Sequence, residues 1–118
     1  MDKQDIKQAL KTAYNALDAK FGGDIAILDI SGVSVMADYF MIVSANNPNH
    51  LKTLADEAEK KLHEAGLKMR GSEGYGNSKW ILHDFGHVIV HLFTKEEREF
   101  YNLERIWRDS ESVDPNTL

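Results

Sequence analysis

Apolar positions change their period several times along the chain, and each change marks an element. Between Asp2 and Lys20, the residues Ile6, Ala9, Leu10, Ala13 and Leu17 recur at the three-four spacing of one helical face, with lysine and glutamine between them. Gly22-Gly23 stops that helix. Ile25 to Ile30, IAILDI, is nearly continuous in apolar character, as in a strand covered on both faces. Tyr39 to Val43, YFMIV, repeats that character. Ser31-Gly32 begins a turn between the two, and Val33 to Ala37 reads equally as loop or short strand.

Asn47-Pro48 is a helix start, with asparagine at the cap and proline at the first helical position. Leu51, Leu54, Ala55, Ala58, Leu62 and Ala65 then trace a buried face, and Gly66 ends it. Leu67 to Arg70 has the look of a short edge strand. Gly71 to Ser78, GSEGYGNS, reads as a glycine-rich loop.

The strongest local pattern follows, WILHDFGHVIVHLF from Trp80 to Phe93. It predicts two apolar strands folded back at Asp84-Phe85-Gly86-His87, with Gly86 supplying the backbone freedom of a tight turn. With Phe85 and Gly86 as loop residues, Asp84 faces His87, Leu82 faces Ile89 and Trp80 faces His91. One face is then Trp80, Leu82, Asp84, His87, Ile89 and His91. The other, Ile81, His83, Val88, Val90 and Leu92, is mostly core.

Thr94 to Glu97 has the form of a capping box, and the helix it opens carries Phe100, Leu103 and Trp107 on one stripe. The polar tail, Ser110 to Leu118, is expected to be disordered. Residues 1–109 therefore form one domain and 110–118 a tail. The order is helix, strand, strand, helix, an optional strand, hairpin, helix. Its expected fold is α/β, or more loosely α+β: a single mixed sheet of four or five strands with helices packed on it.

Composition narrows the function more than the fold. The chain has 118 residues, 42% of them hydrophobic, enough for one buried core. It has no cysteine, so disulfides and zinc–thiolate sites are excluded. No apolar run approaches the roughly 18–20 residues of a membrane span, and MDKQDIKQ lacks a signal-peptide core, so a cytoplasmic location is expected. A net charge of −5 argues against a general nucleic-acid binder and favours a basic protein partner.

Most candidate chemistry fails on spacing. The glycine-rich loop lacks Gly-Lys-Ser/Thr and leads into a strand, whereas a phosphate cradle needs amides converging at a helix start. Nucleotidyl transfer needs a Gly-Ser pair and two carboxylates one residue apart on a following strand to hold metal ions. Gly71-Ser72 and Asp84 are suitably spaced, but position 86 is glycine. His87 and His91 share a face with Asp84, yet residues four apart on a strand are separated by roughly 13 Å, too far to share one ion. Ser44 and Ser72 occupy no nucleophile elbow. No cofactor, metal site or catalytic residue is expected. What remains is a strand face with a tryptophan, a carboxylate and two imidazoles. It is polar for a core and suited to a protein–protein interface.

The string W-I-L-x-D-F-G-x-V-I-V-H-L-F, followed by Arg98-Glu99-Phe100-Tyr101-Asn102-Leu103-Glu104-Arg105-Ile106-Trp107, resembles the ribosomal silencing factor (Iojap) family. Asp38-Tyr39-Phe40-Met41-Ile42-Val43-Ser44 and Glu73-Gly74 match that family too, in the same order and with similar spacing, from about Ile6 to Trp107. The resemblance implies an α/β domain akin to the nucleotidyltransferase core, without the activity. It also implies binding to the large ribosomal subunit through large-subunit ribosomal protein fourteen. Bulk on that face would block small-subunit joining and repress translation when nutrients are scarce. Carried over by position, the expected partner-binding residues are Trp80, Asp84 and Phe85 on the hairpin, with Tyr101 and Glu104 on the last helix. Trp80 and Phe85 would be apolar anchors, and Asp84 and Glu104 would face basic groups. Two alternatives stand beside this one: a degenerate nucleotidyltransferase or nucleotide-binding protein using Asp84, and a homodimer paired through the hairpin face.

Overall fold

The computed structural model describes residues 2–75, 79–101 and 110–118, the side chains of 100 and 101 excepted. Helix α1 (Lys3–Ala19) is capped by the Asp2 carboxylate, which accepts from the Asp5 amide at 2.8 Å. It buries Ile6, Ala9, Leu10, Ala13 and Leu17, the face read from their spacing. Its exit is a Schellman turn: the Gly22 amide bonds the Leu17 carbonyl and the Phe21 amide bonds that of Asp18. The left-handed position falls on Phe21 (φ 66°), one residue before the glycine pair expected to hold it. Helix α2 (Pro48–Glu64) starts with Asn47 accepting from the His50 amide and ends at Gly66 (φ 97°), as its sequence signals require.

Among the described residues, six strands form one mixed sheet in the order β3-β4-β5-β2-β1-β6. They are β1 (Gly23–Asp29), β2 (Tyr39–Ala45), β3 (Gly71–Glu73), β4 (Trp80–Asp84), β5 (Val88–Thr94) and β6 (Glu111–Ser112). Only β2 and β5 run parallel, and all other pairs are antiparallel. Central β2 is buried along its whole length, which explains its unbroken apolar run.

Helices α1 and α2 pack on each other and on one face of the sheet, where they enclose the main core with Ile27, Met41, Val43, Ile81, Val90 and Leu92. The opposite, outer face carries Leu28, Ile30, Ala37, Phe40, Ile42 and Phe93, with Ala26, Trp80 and Ile89 at its margin. Helix α3 (Lys95–Tyr101) follows β5 directly, and its Arg98 donates to the Ser44 hydroxyl near the end of β2 at 2.9 Å.

Two elements depart from expectation. The edge strand is Gly71–Glu73, not Leu67–Arg70. Leu67 is buried and closes the end of α2 through its amide on the Leu62 carbonyl, and pairing begins only where the Arg70 amide meets the Asp84 carbonyl at 2.7 Å. The tail expected to be disordered adds β6 to the sheet. Glu111 and Ser112 pair with β1, the Lys11 ammonium bonds the Pro115 carbonyl, and Val113 and Leu118 pack on the core. Polar residues make this strand because an exposed edge of β1 offers its backbone groups as a template.

Candidate docking face

Strand β4 alternates half-buried and buried residues, Trp80, Leu82 and Asp84 outward and Ile81 and His83 inward. The two faces are those read from the sequence, but the pairing is not. Asp84 faces Ile89, Leu82 faces His91 and Trp80 faces Phe93, a displacement of two residues. The cause is the turn. The Phe85 amide bonds the Val88 carbonyl at 2.9 Å, so the loop residues are Gly86 and His87 rather than Phe85 and Gly86. Moving a loop by one residue moves the cross-strand partner by two, which preserves the faces. Gly86 takes φ 81°, and the Asp84 carboxylate accepts its amide at 2.8 Å, locking the turn.

This correction reverses the role of Phe85. No longer in the loop, it keeps the inward parity of Ile81 and His83 and is 3% exposed in the main core. Its ring meets His83 edge-on at 6.2 Å. It props the hairpin from beneath and is no surface anchor. Tyr101 ends α3, but its side chain, like Glu104, Leu103 and Trp107, lies outside the described residues.

The three histidines of the hairpin occupy unrelated settings. His83 is a buried strut: its Nδ1 meets the Ser72 hydroxyl at 2.9 Å and its Nε2 the Ala55 carbonyl at 3.2 Å, tying β3, β4 and α2 together. Burial lowers its pKa, which keeps the ring neutral. His87 sits at the turn and pairs with Asp38 at 2.9 Å. His91 lies on the outer face, 6% exposed, edge-on to Phe40 at 4.7 Å and parallel to Phe93 at 6.2 Å. Neither of its nitrogens has a hydrogen-bond partner, and burial pushes its pKa down to about 4. Among the described residues, no cluster of histidine and carboxylate side chains could hold a metal ion.

The nucleotidyltransferase constellation is also dispersed. Ser72 pairs with His83 and bonds its ring on the inner face, whereas Asp84 pairs with Gly71 on the outer face. A hydroxyl and a carboxylate on opposite sides of a sheet cannot act on one phosphoryl group.

What the hairpin does present outward is an apolar strip, Trp80 and Leu82 on β4 with Ile89 on β5, and Asp84 at one end. Trp80 stacks on Phe93 at 4.8 Å, which fixes the indole. Glu73, opposite Leu82 on β3, shares this face and adds a second carboxylate. In the sequence Glu73 stands out only as part of a motif, because its nearness to Trp80 depends on the pairing of β3.

A family model described as ribosomal silencing factor during starvation matches residues 3–118. The chain belongs to the ribosomal silencing factor family. The proteins named ribosomal silencing factor RsfS from Bacillus subtilis and Halalkalibacterium halodurans are 40% and 37% identical to it, each over 92% of both chains. A crystal structure of a Chromobacterium violaceum protein superposes with a TM-score of 0.83 at 33% identity, covering 91% of this chain and 87% of that one. The mixed α/β fold is thus that of the ribosomal silencing factor family. Among the described residues, no helix is long and apolar enough to cross a membrane.

Proposed function

We propose that the protein silences ribosomes by occlusion: it docks on the large subunit through large-subunit ribosomal protein fourteen and prevents the small subunit from joining. It works in the cytoplasm, represses translation under nutrient limitation and catalyses no reaction. The observation that carries this reading is the outer face of the β4–β5 hairpin, where Trp80, Leu82 and Ile89 form an apolar strip edged by Asp84 and Glu73. An immobilised aromatic beside aliphatic side chains supplies desolvation energy, and acidic groups at the edge select a basic protein surface. Family membership supplies the ribosomal context. Occlusion needs only a rigid docking face and enough bulk behind it, and a sheet backed by two helices provides both.

The test is co-sedimentation with isolated large subunits, then with small subunits added. Wild type should travel with the large subunit and deplete joined ribosomes. Trp80→Ala and Asp84→Lys, checked for folding by circular dichroism, should lose both effects. Wild-type protein remaining at the top of the gradient refutes docking. Binding retained by both folded variants moves the interface off this hairpin.

A further inference from the structure

The pair Glu73-Gly74 belongs to the family pattern, and of the two only the Glu73 carboxylate has a place at the edge of the docking face. The structure shows why Gly74 is glycine. It sits at φ 77°, and a Cβ there would lie 2.2 Å from the Trp80 carbonyl oxygen. The chain leaving β3 therefore crosses hard against the start of β4, where no side chain fits. That crossing holds the preceding residue, Glu73, beside the indole of Trp80.

Glu73, Gly74, Trp80 and Leu82 together line an open cavity of about 270 Å³. Glu73 and Leu82 are directly paired, and Trp80 lies two residues along the same face of β4, so all three side chains point to one side of the sheet. Glu73 is exposed, and its carboxylate makes no ion pair or hydrogen bond with any described residue. The walls thus combine one uncommitted carboxylate, one aromatic ring and one aliphatic side chain.

We infer that this cavity is a socket for a single arginine side chain of the protein on which the docking face lands. The inference rests on the docking reading and deepens it. Each wall meets a different part of arginine: the guanidinium forks onto the Glu73 carboxylate, its plane lies against the indole, and its methylenes cover Leu82. A lysine would satisfy the carboxylate but leave the planar match unused. Nucleic-acid backbone is disfavoured, since a phosphate entering here meets Glu73 and, farther along the face, Asp84. The net charge of −5 points the same way. Glu73 is therefore a specificity residue, selecting a basic protein surface where Trp80 alone would accept any apolar one.

The experiment measures binding to isolated large subunits at low and high salt for wild type, Glu73→Gln, Glu73→Lys and Trp80→Ala, with circular dichroism on each. Glu73→Gln should weaken binding about tenfold at low salt, with the gap narrowing as salt rises, and Glu73→Lys should weaken it further. If both Glu73 variants bind like wild type while Trp80→Ala does not, docking through this face stands and the socket is overturned. A loss that is the same at every salt concentration also overturns it, because an ion pair must be screened. Failure of wild type to bind removes docking and socket together.

Discussion

His91 offers a test of how the outer face is assembled. Its imidazole is flanked in the sheet by Leu82 on β4 and Ile42 on β2, with Phe40, Trp80 and Phe93 around the ring. With both nitrogens lacking a partner, protonation would place a bare charge among hydrocarbons, and the pKa is held at about 4 against an ordinary 6.5. The unfolded chain takes up a proton below pH 6.5 while the folded chain refuses it until pH 4, so unfolding gains ground as the pH falls. The full stability is present above pH 6.5 and is lost progressively between 6.5 and 4. At about 1.4 kcal/mol per unit, the loss amounts to about 3 kcal/mol. Removing the ring nitrogens with His91→Leu should abolish this contribution. It should also stabilise the protein at neutral pH by about 1 kcal/mol, since the buried nitrogens forgo bonds they have in water. Urea unfolding at pH 7.5, 6 and 5 reads both effects, with unchanged slopes certifying a common two-state transition. His83, whose pKa is also lowered, leaves a smaller slope of the same sign in the variant. If His91→Leu loses stability toward acid as steeply as wild type, the imidazole is not neutral and buried as described, and the reasoning fails.

Two further predictions concern the hairpin and the β3–β4 connection that leads into it. Gly74→Ala should lower stability by about 2 kcal/mol or more, because its Cβ meets backbone at Trp80, whereas Gly86→Ala should cost nearer 1 kcal/mol because its Cβ meets only the movable guanidinium of Arg70. Equal losses in thermal melts of the two would refute that distinction. Phe85→Ala should cost about 3–4 kcal/mol in urea titrations, and its ribosome binding should fall only as far as the folded fraction falls. A fully folded Phe85→Ala protein that binds no large subunits would restore Phe85 as a direct contact.

The sequence by itself determined what depends on near neighbours. The faces of α1 and α2 follow from apolar spacing, the caps at Asp2 and Asn47 from side chains that reach amides three residues on, and the end of α2 from Gly66. The inward and outward sets on β4 and β5 follow from the two-residue period of a strand, which survives an error in the turn. Only the tertiary structure decided the register, because the choice between Phe85-Gly86 and Gly86-His87 as loop is made by β2. The amides of Asp38 and Tyr39 both reach the His87 carbonyl and fix where β5 begins. That choice turned Phe85 from a surface anchor into a core residue. The same holds for β6, whose polar residues are ordered by an edge of β1 far away in the chain, and for Glu73, brought to Trp80 by the pairing of β3. Local periodicity states which side of an element is apolar. Which residue stands opposite which is settled by hydrogen bonds between distant segments, and a docking face is made of those juxtapositions.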